Sequence, residues 1–431
     1  MGALMNSILG VLAVILATLY QSNVHFALYT GVRLFYGIGH TLEPLSAFPS
    51  YKCRRIEDER LQACEDMWLS EATRQLFLAC SETKGRQQWS PNGGIFNASG
   101  RSLTDHIAVL DIDEPEGVDG AGFRTRVLET PGYPGTHGDG TLNLVGMSGY
   151  DDGADGEVRL WLIDVKPSVD LATGRVIEDQ TVMRGNQTVE VFKLVGGRGA
   201  TTLEHLESFW DPLIMTPNRV AAVGDDTNAF WITNDLGHSQ SRWKRRLSPF
   251  FSQGSVAYCS SGSNKSDGSQ ACHAAIPSGL SWPNGLVHNH HDGLLYVPSS
   301  MVGTVDIYEP VKNGSVSTMK KVDTIDVGYS IDNLMVDKDG DVWAAVFPSV
   351  TKLGKAFDDP YGVHHVPAAA MRIRKGPGGG YEVEKVLEDG FGEVLPMTTS
   401  VVHDATTGRL FFGSEFPPSC IFGSSHVQPP D

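Results

Sequence analysis

The sequence predicts an all-β fold closed into a six-bladed β-propeller, and three observations predict it. Six short apolar strand signatures recur with starts about 67 residues apart: Gln75-Leu-Phe-Leu-Ala, Arg159-Leu-Trp-Leu-Ile, Ala229-Phe-Trp-Ile-Thr, Gly293-Leu-Leu-Tyr-Val, Asp341-Val-Trp-Ala-Ala and Arg409-Leu-Phe-Phe. Turn chemistry leads into three of them, through Asp337-Lys-Asp-Gly, His291-Asp-Gly and Asp404-Ala-Thr-Thr-Gly. With 48 glycines and no sustained helical heptad, the composition suits many strands joined by turns. A β-sandwich shares these signatures, because periodicity alone does not fix closure.

The 431 residues divide by pattern into four parts. Leu4 to Tyr20 is almost uninterruptedly apolar, so residues 1–22 read as a signal peptide or an uncleaved signal anchor. Residues 23–50 form an N-terminal extension with room for a short helix outside the ring, 51–422 carry the propeller, and 423–431 are a loose tail. The anchor reading brings association with a membrane. Nucleic acid is excluded as a partner by the formal charge of −17, which the cluster Lys244-Arg245-Arg246 is too short to reverse. The acidic stretches Asp111 to Asp119 and Asp151 to Glu157 read as solvated loops.

Four acceptor sequons, at Asn97, Asn186, Asn264 and Asn313, suit a glycoprotein of the secretory pathway, secreted or membrane-anchored. In that oxidising compartment the six cysteines read as disulfides. Cys64 and Cys80 flank a hairpin, Cys259 and Cys272 bracket a polar excursion, and Cys53 and Cys420 stand near the two ends of the globular part, where a bridge closes the ring. Free buried thiols are the alternative for each pair.

Five polar segments stand beside apolar strands: Glu65-Asp66, Asn218, Asn234-Asp235, Asn284 in Trp-Pro-Asn-Gly, and Asp332-Asn333. These are hard oxygen donors from separate blades, which suits calcium, and they contain no His or Cys pair for zinc. Singly, such dipeptides are ordinary turns.

Together with their order they resemble the paraoxonase/arylesterase family from about Tyr51 to Phe422. The segments that carry the resemblance are Cys64-Glu-Asp, Asn218-Arg-Val-Ala-Ala-Val-Gly, Ile232-Thr-Asn-Asp, Trp282-Pro-Asn-Gly, Ile331-Asp-Asn-Leu-Met-Val-Asp and Leu410-Phe-Phe-Gly-Ser-Glu-Phe. The resemblance implies an axial calcium ion held by Glu65, Asn218, Asn284, Asp332 and Asn333. A second, deeper ion would use Asp66 and the Met147 carbonyl. It also places the end cysteines, Cys53 and Cys420, where the family closes its ring.

Two departures from the family are visible. Arg219 stands where the family has an Asp, so a guanidinium paired with Asp66 is the alternative to the deeper ion, leaving one calcium instead of two. Val145 stands where the family has a histidine, and Lys166 falls at the place of its second histidine, so the proton-transfer pair is missing. Lys166 and His238 are the remaining catalytic candidates.

Three functions follow: calcium-dependent hydrolysis of an ester or lactone of a small apolar substrate; a cyclase or pericyclase that needs no base; or a non-enzymatic binding propeller.

Overall fold

Each of the six apolar signatures forms the second strand of a four-stranded antiparallel sheet in the computed structural model. The strands are Gln75–Cys80, Val158–Lys166, Phe230–Asn234, Leu294–Ser299, Val342–Phe347 and Arg409–Ser414. They are mainly apolar because neighbouring sheets cover both faces, and every residue of Gln75–Cys80, Phe230–Asn234 and Val342–Phe347 is buried. The structure describes residues 24–116, 122–135, 138–153, 156–170, 172–183, 185–224, 228–237, 252–261, 270–313, 316–359, 364–416 and 421–426.

Where the sequence predicts six like repeats, five blades are each built from one continuous stretch of four strands, and the remaining sheet is composite. The contiguous blades begin with Asp66–Ser70, Leu144–Asp151, Pro217–Ala222, Val287–Asn289 and Ser330–Val336. The composite sheet joins Thr398–Asp404, Arg409–Ser414 and Ile421–His426 to Tyr51–Ile56 from the other end of the chain. The first strands of all six sheets neighbour one another in a closed circuit, the arrangement of an all-β propeller. Apolar clusters fill the spaces between successive sheets: Phe77, Leu144 and Phe192 pack in one such space, and Trp161, Phe209 and Phe230 in the next.

Two of the three expected disulfides are present, Cys64–Cys80 and Cys259–Cys272, the second joining residues directly opposite in adjacent strands. Cys53 carries no disulfide among the described residues, and Cys420 lies outside them. The composite sheet is joined by its ladder, in which Cys53 stands opposite Ser424. That ladder runs to His426, past the expected boundary at 422.

The expected N-terminal helix spans Val24–Tyr36 and lies against the helix Val350–Asp358. Residues 1–22, Asn264 and His238 lie outside the described residues. Among the other sequons, Asn97 is exposed, Asn186 is half-buried, and Asn313 ends a strand. The expected acidic loop at Asp111 is corrected. Asp111 belongs to the strand His106–Glu116 and is buried, because Arg124 and Arg126 each bond its carboxylate at 2.8 Å. Among the described residues no helix is long and apolar enough to cross a membrane.

Candidate functional site: an acidic cluster at one end of the central axis

The first strands bring the predicted donors together at one end. Glu65 immediately precedes its blade's first strand, Asn218 is the second residue of Pro217–Ala222, Asn284 lies in the loop before Val287–Asn289, and Asp332 and Asn333 lie in Ser330–Val336. The ladders lose register at this level, between Leu144 and Met147, Pro217 and Val220, Ile331 and Leu334, and Thr398 and Ser400. An extra residue in one strand bends it and re-aims its side chains. The bulges therefore place Asn218, Asp332 and Asn333 where a regular ladder would not.

Backbone conformation is also unusual here. Ala63, Trp282 and Met397 have φ of 43°, 54° and 56°, a left-handed conformation that costs non-glycine residues on the order of 1–3 kcal/mol each. Each stands just before a segment of the cluster. Gly285 has no room for a side chain, since a Cβ there would come within 2.0 Å of Asn333 Oδ1. The backbones interlock instead: Gly285 N–H donates to the Asp332 carbonyl at 3.2 Å, and Leu334 N–H to the Gly285 carbonyl at 2.9 Å.

Glu65 is fixed from three sides. Its carbonyl accepts from Thr399 Oγ1 and Ser400 Oγ, both at 2.8 Å, and its carboxylate accepts from buried Arg86 at 2.7 Å. Ser414 N–H donates to the Cys64 carbonyl at 2.9 Å, which lays Ser414 and Glu415 alongside Cys64 and Glu65. Glu415 is buried and accepts from Ser90 Oγ at 3.2 Å.

Burial pushes the carboxyls of Glu65 and Asp332 well above the usual carboxylate range, and the charge of Glu415 is the next cause for both. Glu415 is itself raised by burial, against the pull of Arg86. The Asn284 side chain hydrogen-bonds Asp332, while its own buried Oδ1 has no partner. An unsatisfied amide oxygen among buried acids is the kind of hard-oxygen arrangement that suits a cation such as calcium. Among the described residues no three His, Cys, Asp or Glu side chains gather closely enough to hold a metal by themselves, so amide oxygens are a necessary part of such a set.

The deeper position is already filled by the protein. Arg219 pairs with Asp66 at 3.1 Å and donates to the Leu334 carbonyl at 2.5 Å. Asp66 also accepts from the backbone N–H groups of Met147 at 2.8 Å and Met67 at 2.9 Å. Beyond this pair, towards the far ends of the same strands, lies a separate cavity of about 290 Å³ with Trp68, Tyr150, His288 and His290 in its wall.

The side chains of the remaining described candidates are engaged with other partners. Val145 is buried in the apolar space with Trp161, Ile163 and Val220, so its position belongs to the core. Lys166 is buried in its blade, 2.9 Å from Glu190 and 3.0 Å from the Tyr133 hydroxyl. Asn234 accepts from the backbone N–H groups of Met215 and Thr216, which pins a loop. The cluster's unpredicted members are Arg86 and Glu415. Glu415 had a visible signal, a single acid inside the apolar Leu410-Phe-Phe-Gly-Ser-Glu-Phe run; Arg86 had none.

The arylesterase family model matches residues 181–375. The resemblance read from the motifs is thereby shown over a stretch that includes Asn218, Asn284, Asp332 and Asn333, with Glu65 outside it. No curated protein matches the chain. Among solved structures, one described as a gluconolactonase is 13% identical, covers 89% of this chain and 93% of its own, and has a TM-score of 0.42. A luciferin-regenerating enzyme is 13% identical over 88% and 96%, with a TM-score of 0.43. A glucose dehydrogenase is 12% identical over 88% and 100%, with a TM-score of 0.48. At these values the likenesses carry no argument about activity.

Proposed function

We propose that the chain is a secreted or membrane-attached hydrolase of the arylesterase type, built as a six-bladed ring, that cleaves the ester or lactone of a small apolar substrate with one calcium ion on its axis. The observation that carries this reading is the unpartnered Asn284 Oδ1 among buried acids. Glu65 and Asp332 would hold the ion by charge, and Asn218, Asn284 and Asn333 by amide oxygen. Calcium bound there would polarise a substrate carbonyl and stabilise the oxyanion that develops on it. Arg219 already neutralises Asp66, so the reading takes one ion and no deeper one.

Apolar substrates suit the surroundings. Phe416 follows Glu415 directly and packs on Phe357, with ring centroids 5.3 Å apart, in a cluster with Phe347 and Met397. Membrane attachment is supported by the apolar stretch within residues 1–22 and by the exposed Tyr29, Val32, Tyr36 and Ile38 that follow it.

A specific observation favours a second reading. Val145 lies in the core and Lys166 is committed to Glu190, so neither supplies a base at the cluster. A cyclase or pericyclase, which works by orientation and polarisation, needs none.

The experiment is to assay the full chain on aryl esters, lactones and cyclisable polyenes with calcium or chelator, alongside thermal melts. Calcium at a hundredfold excess over its Kd is expected to add about 2.7 kcal/mol of stability, and Asn284→Ala to abolish both this gain and activity. Identical melts in calcium and chelator, with no metal bound, would overturn the reading.

A further inference from the structure

We propose that the Cys64–Cys80 disulfide is a positioning element of the axial site: it holds Glu65 in place for a divalent cation, so that cutting it weakens calcium binding and not stability alone. The inference rests on the calcium reading above and concerns a crosslink that the family resemblance does not supply.

The bridge stands at the open end of a hairpin. The ladder between Asp66–Ser70 and Gln75–Cys80 ends where Asp66 faces Ala79. Glu65 is the first residue past that pair, and the next is Cys64, which is bonded to Cys80. Glu65 is therefore bracketed, with the ladder on one side and the crosslink on the other. Past the ladder the two segments are also tied by Ser81 N–H, which donates to the Gln62 carbonyl at 3.1 Å. Element ends open at little cost in free energy unless something ties them. Two features make this tie matter. Ala63 has a φ of 43°, a left-handed conformation that a non-glycine residue keeps only when its surroundings fix it. The crosslink fixes the next residue, so without it Ala63 can relax and turn the Glu65 segment. The second feature is Arg86. From Cys80 the chain runs into the short helix Thr83–Arg86, and Arg86 donates to the Glu65 carboxylate at 2.7 Å. One crosslink thus anchors the segments of both partners. Thr399 and Ser400 bond only the Glu65 carbonyl, which leaves the carboxylate to the hairpin end and Arg86.

Cys259–Cys272 provides the control within the same molecule. It joins opposite residues inside a ladder that continues on both sides, between the third and fourth strands of its blade. None of the proposed donors adjoins it in sequence. The two bridges link residues 16 and 13 apart, so in the loop-closure account they restrict the unfolded chain almost equally. A difference between them in calcium affinity therefore reports where the bridge lies, not crosslinking as such. Residues that orient a metal ligand without touching the metal are a recognised part of such sites.

The test is calcium titration by calorimetry on the full chain lacking each bridge in turn. Cys64→Ala with Cys80→Ala should weaken calcium binding on the order of tenfold, whereas Cys259→Ala with Cys272→Ala should leave it within about twofold of wild type. Both should lose stability in denaturant melts. A second readout uses the wild type. Coupling between two equilibria is reciprocal, so in a buffer of reduced and oxidised dithiothreitol, calcium should lower the reduced-to-oxidised ratio of Cys64–Cys80 about tenfold. In that exchange dithiothreitol gives up two electrons and two protons and closes to a cyclic disulfide, and thiol trapping with mass mapping reads each bridge. The ratio for Cys259–Cys272 should not move. Wild-type affinity without Cys64–Cys80, an equal loss without Cys259–Cys272, or a Cys64–Cys80 ratio that calcium leaves unchanged would overturn the proposal while leaving the calcium reading intact. If the chain without Cys64–Cys80 fails to fold, the wild-type ratio decides alone. A wild-type chain that binds no calcium would sink the calcium reading itself.

Discussion

Two regions of this molecule bury acids beside long cationic side chains, and their acids are shifted in opposite directions. In the second blade, Lys166 lies 2.9 Å from Glu190, which also accepts from Thr188 at 2.6 Å, from Ser208, and pairs with His205 at 2.9 Å. Although burial is the largest single influence on Glu190 and raises its carboxyl, the bonds from His205, Lys166, Ser208 and Thr188 outweigh it and bring the carboxyl down to about 2. At the axis, Arg86 faces Glu65 and Glu415 and Arg219 faces Asp332, yet all three carboxyls are raised, and Asn284 Oδ1 is left over. Burial alone therefore does not mark a functional acid. What separates Glu190 from the axial acids is whether the protein's own donors outweigh the cost of burial.

The largest effect that tests this contrast comes from Lys166→Met. Removing one partner of a buried ion pair typically costs 3–5 kcal/mol, because the other charge stays buried. Denaturant unfolding should show that loss, while calcium affinity stays within twofold of wild type. A change of less than 1 kcal/mol would mean the network is not closed on Lys166, and a large change in calcium affinity would mean the two regions are coupled.

Acid titration sharpens the same contrast. The folded pKa of Glu190 lies below its ordinary value of 4.5, so its stabilisation is fully present above pH 4.5 and is lost as pH falls towards about 2. At about 1.4 kcal/mol per pKa unit this amounts to about 3 kcal/mol. Asp164 works in the opposite direction. Burial raises it to about 7, so its favourable contribution is complete below pH 3.8 and is lost as pH rises through 7. Unfolding free energies measured from pH 7 to pH 2.5 should fall less steeply for Glu190→Gln than for wild type. Parallel acid limbs would show that Glu190 is not held in its charged form.

Much of this was legible in the sequence, and the limits have physical causes. The apolar runs identified the second strand of every sheet because those strands are covered on both faces. The closure was partly hidden: Tyr51–Ile56 is half-polar and takes its partner from residues 421–426, a pairing no local pattern announces. Hard-oxygen residue types pointed to Glu65, Asn218, Asn284, Asp332 and Asn333, and the first strands do carry them to one end. The bulges that aim three of them have no sequence signature. Arg219 paired with Asp66 as its chemistry suggested. Arg86 was unreadable because Lys84-Gly85-Arg86 looks like a solvated turn, and only the fold buries it. Val145 was misleading for a related reason, since alignment to a catalytic position says nothing about which way the side chain points.

Val145 gives the smallest effect and tests that last point. Its side chain packs among Trp161, Ile163, Val189 and Val220 in a space between two blades. Val145→Thr keeps the volume but places a hydroxyl in a dry cluster, which costs roughly 1–3 kcal/mol in mutational data when no partner is available. Denaturant melts should register that loss while calcium affinity and any turnover per folded molecule stay unchanged. Val145→His should lose more, because the imidazole is larger than the space as well as polar. If Val145→His instead folded at wild-type stability and gained hydrolysis of aryl esters, residue 145 would face the reacting atoms. A base at that position would then be what limits ester hydrolysis in the wild type, and the axial cluster would extend to a position that here belongs to the core.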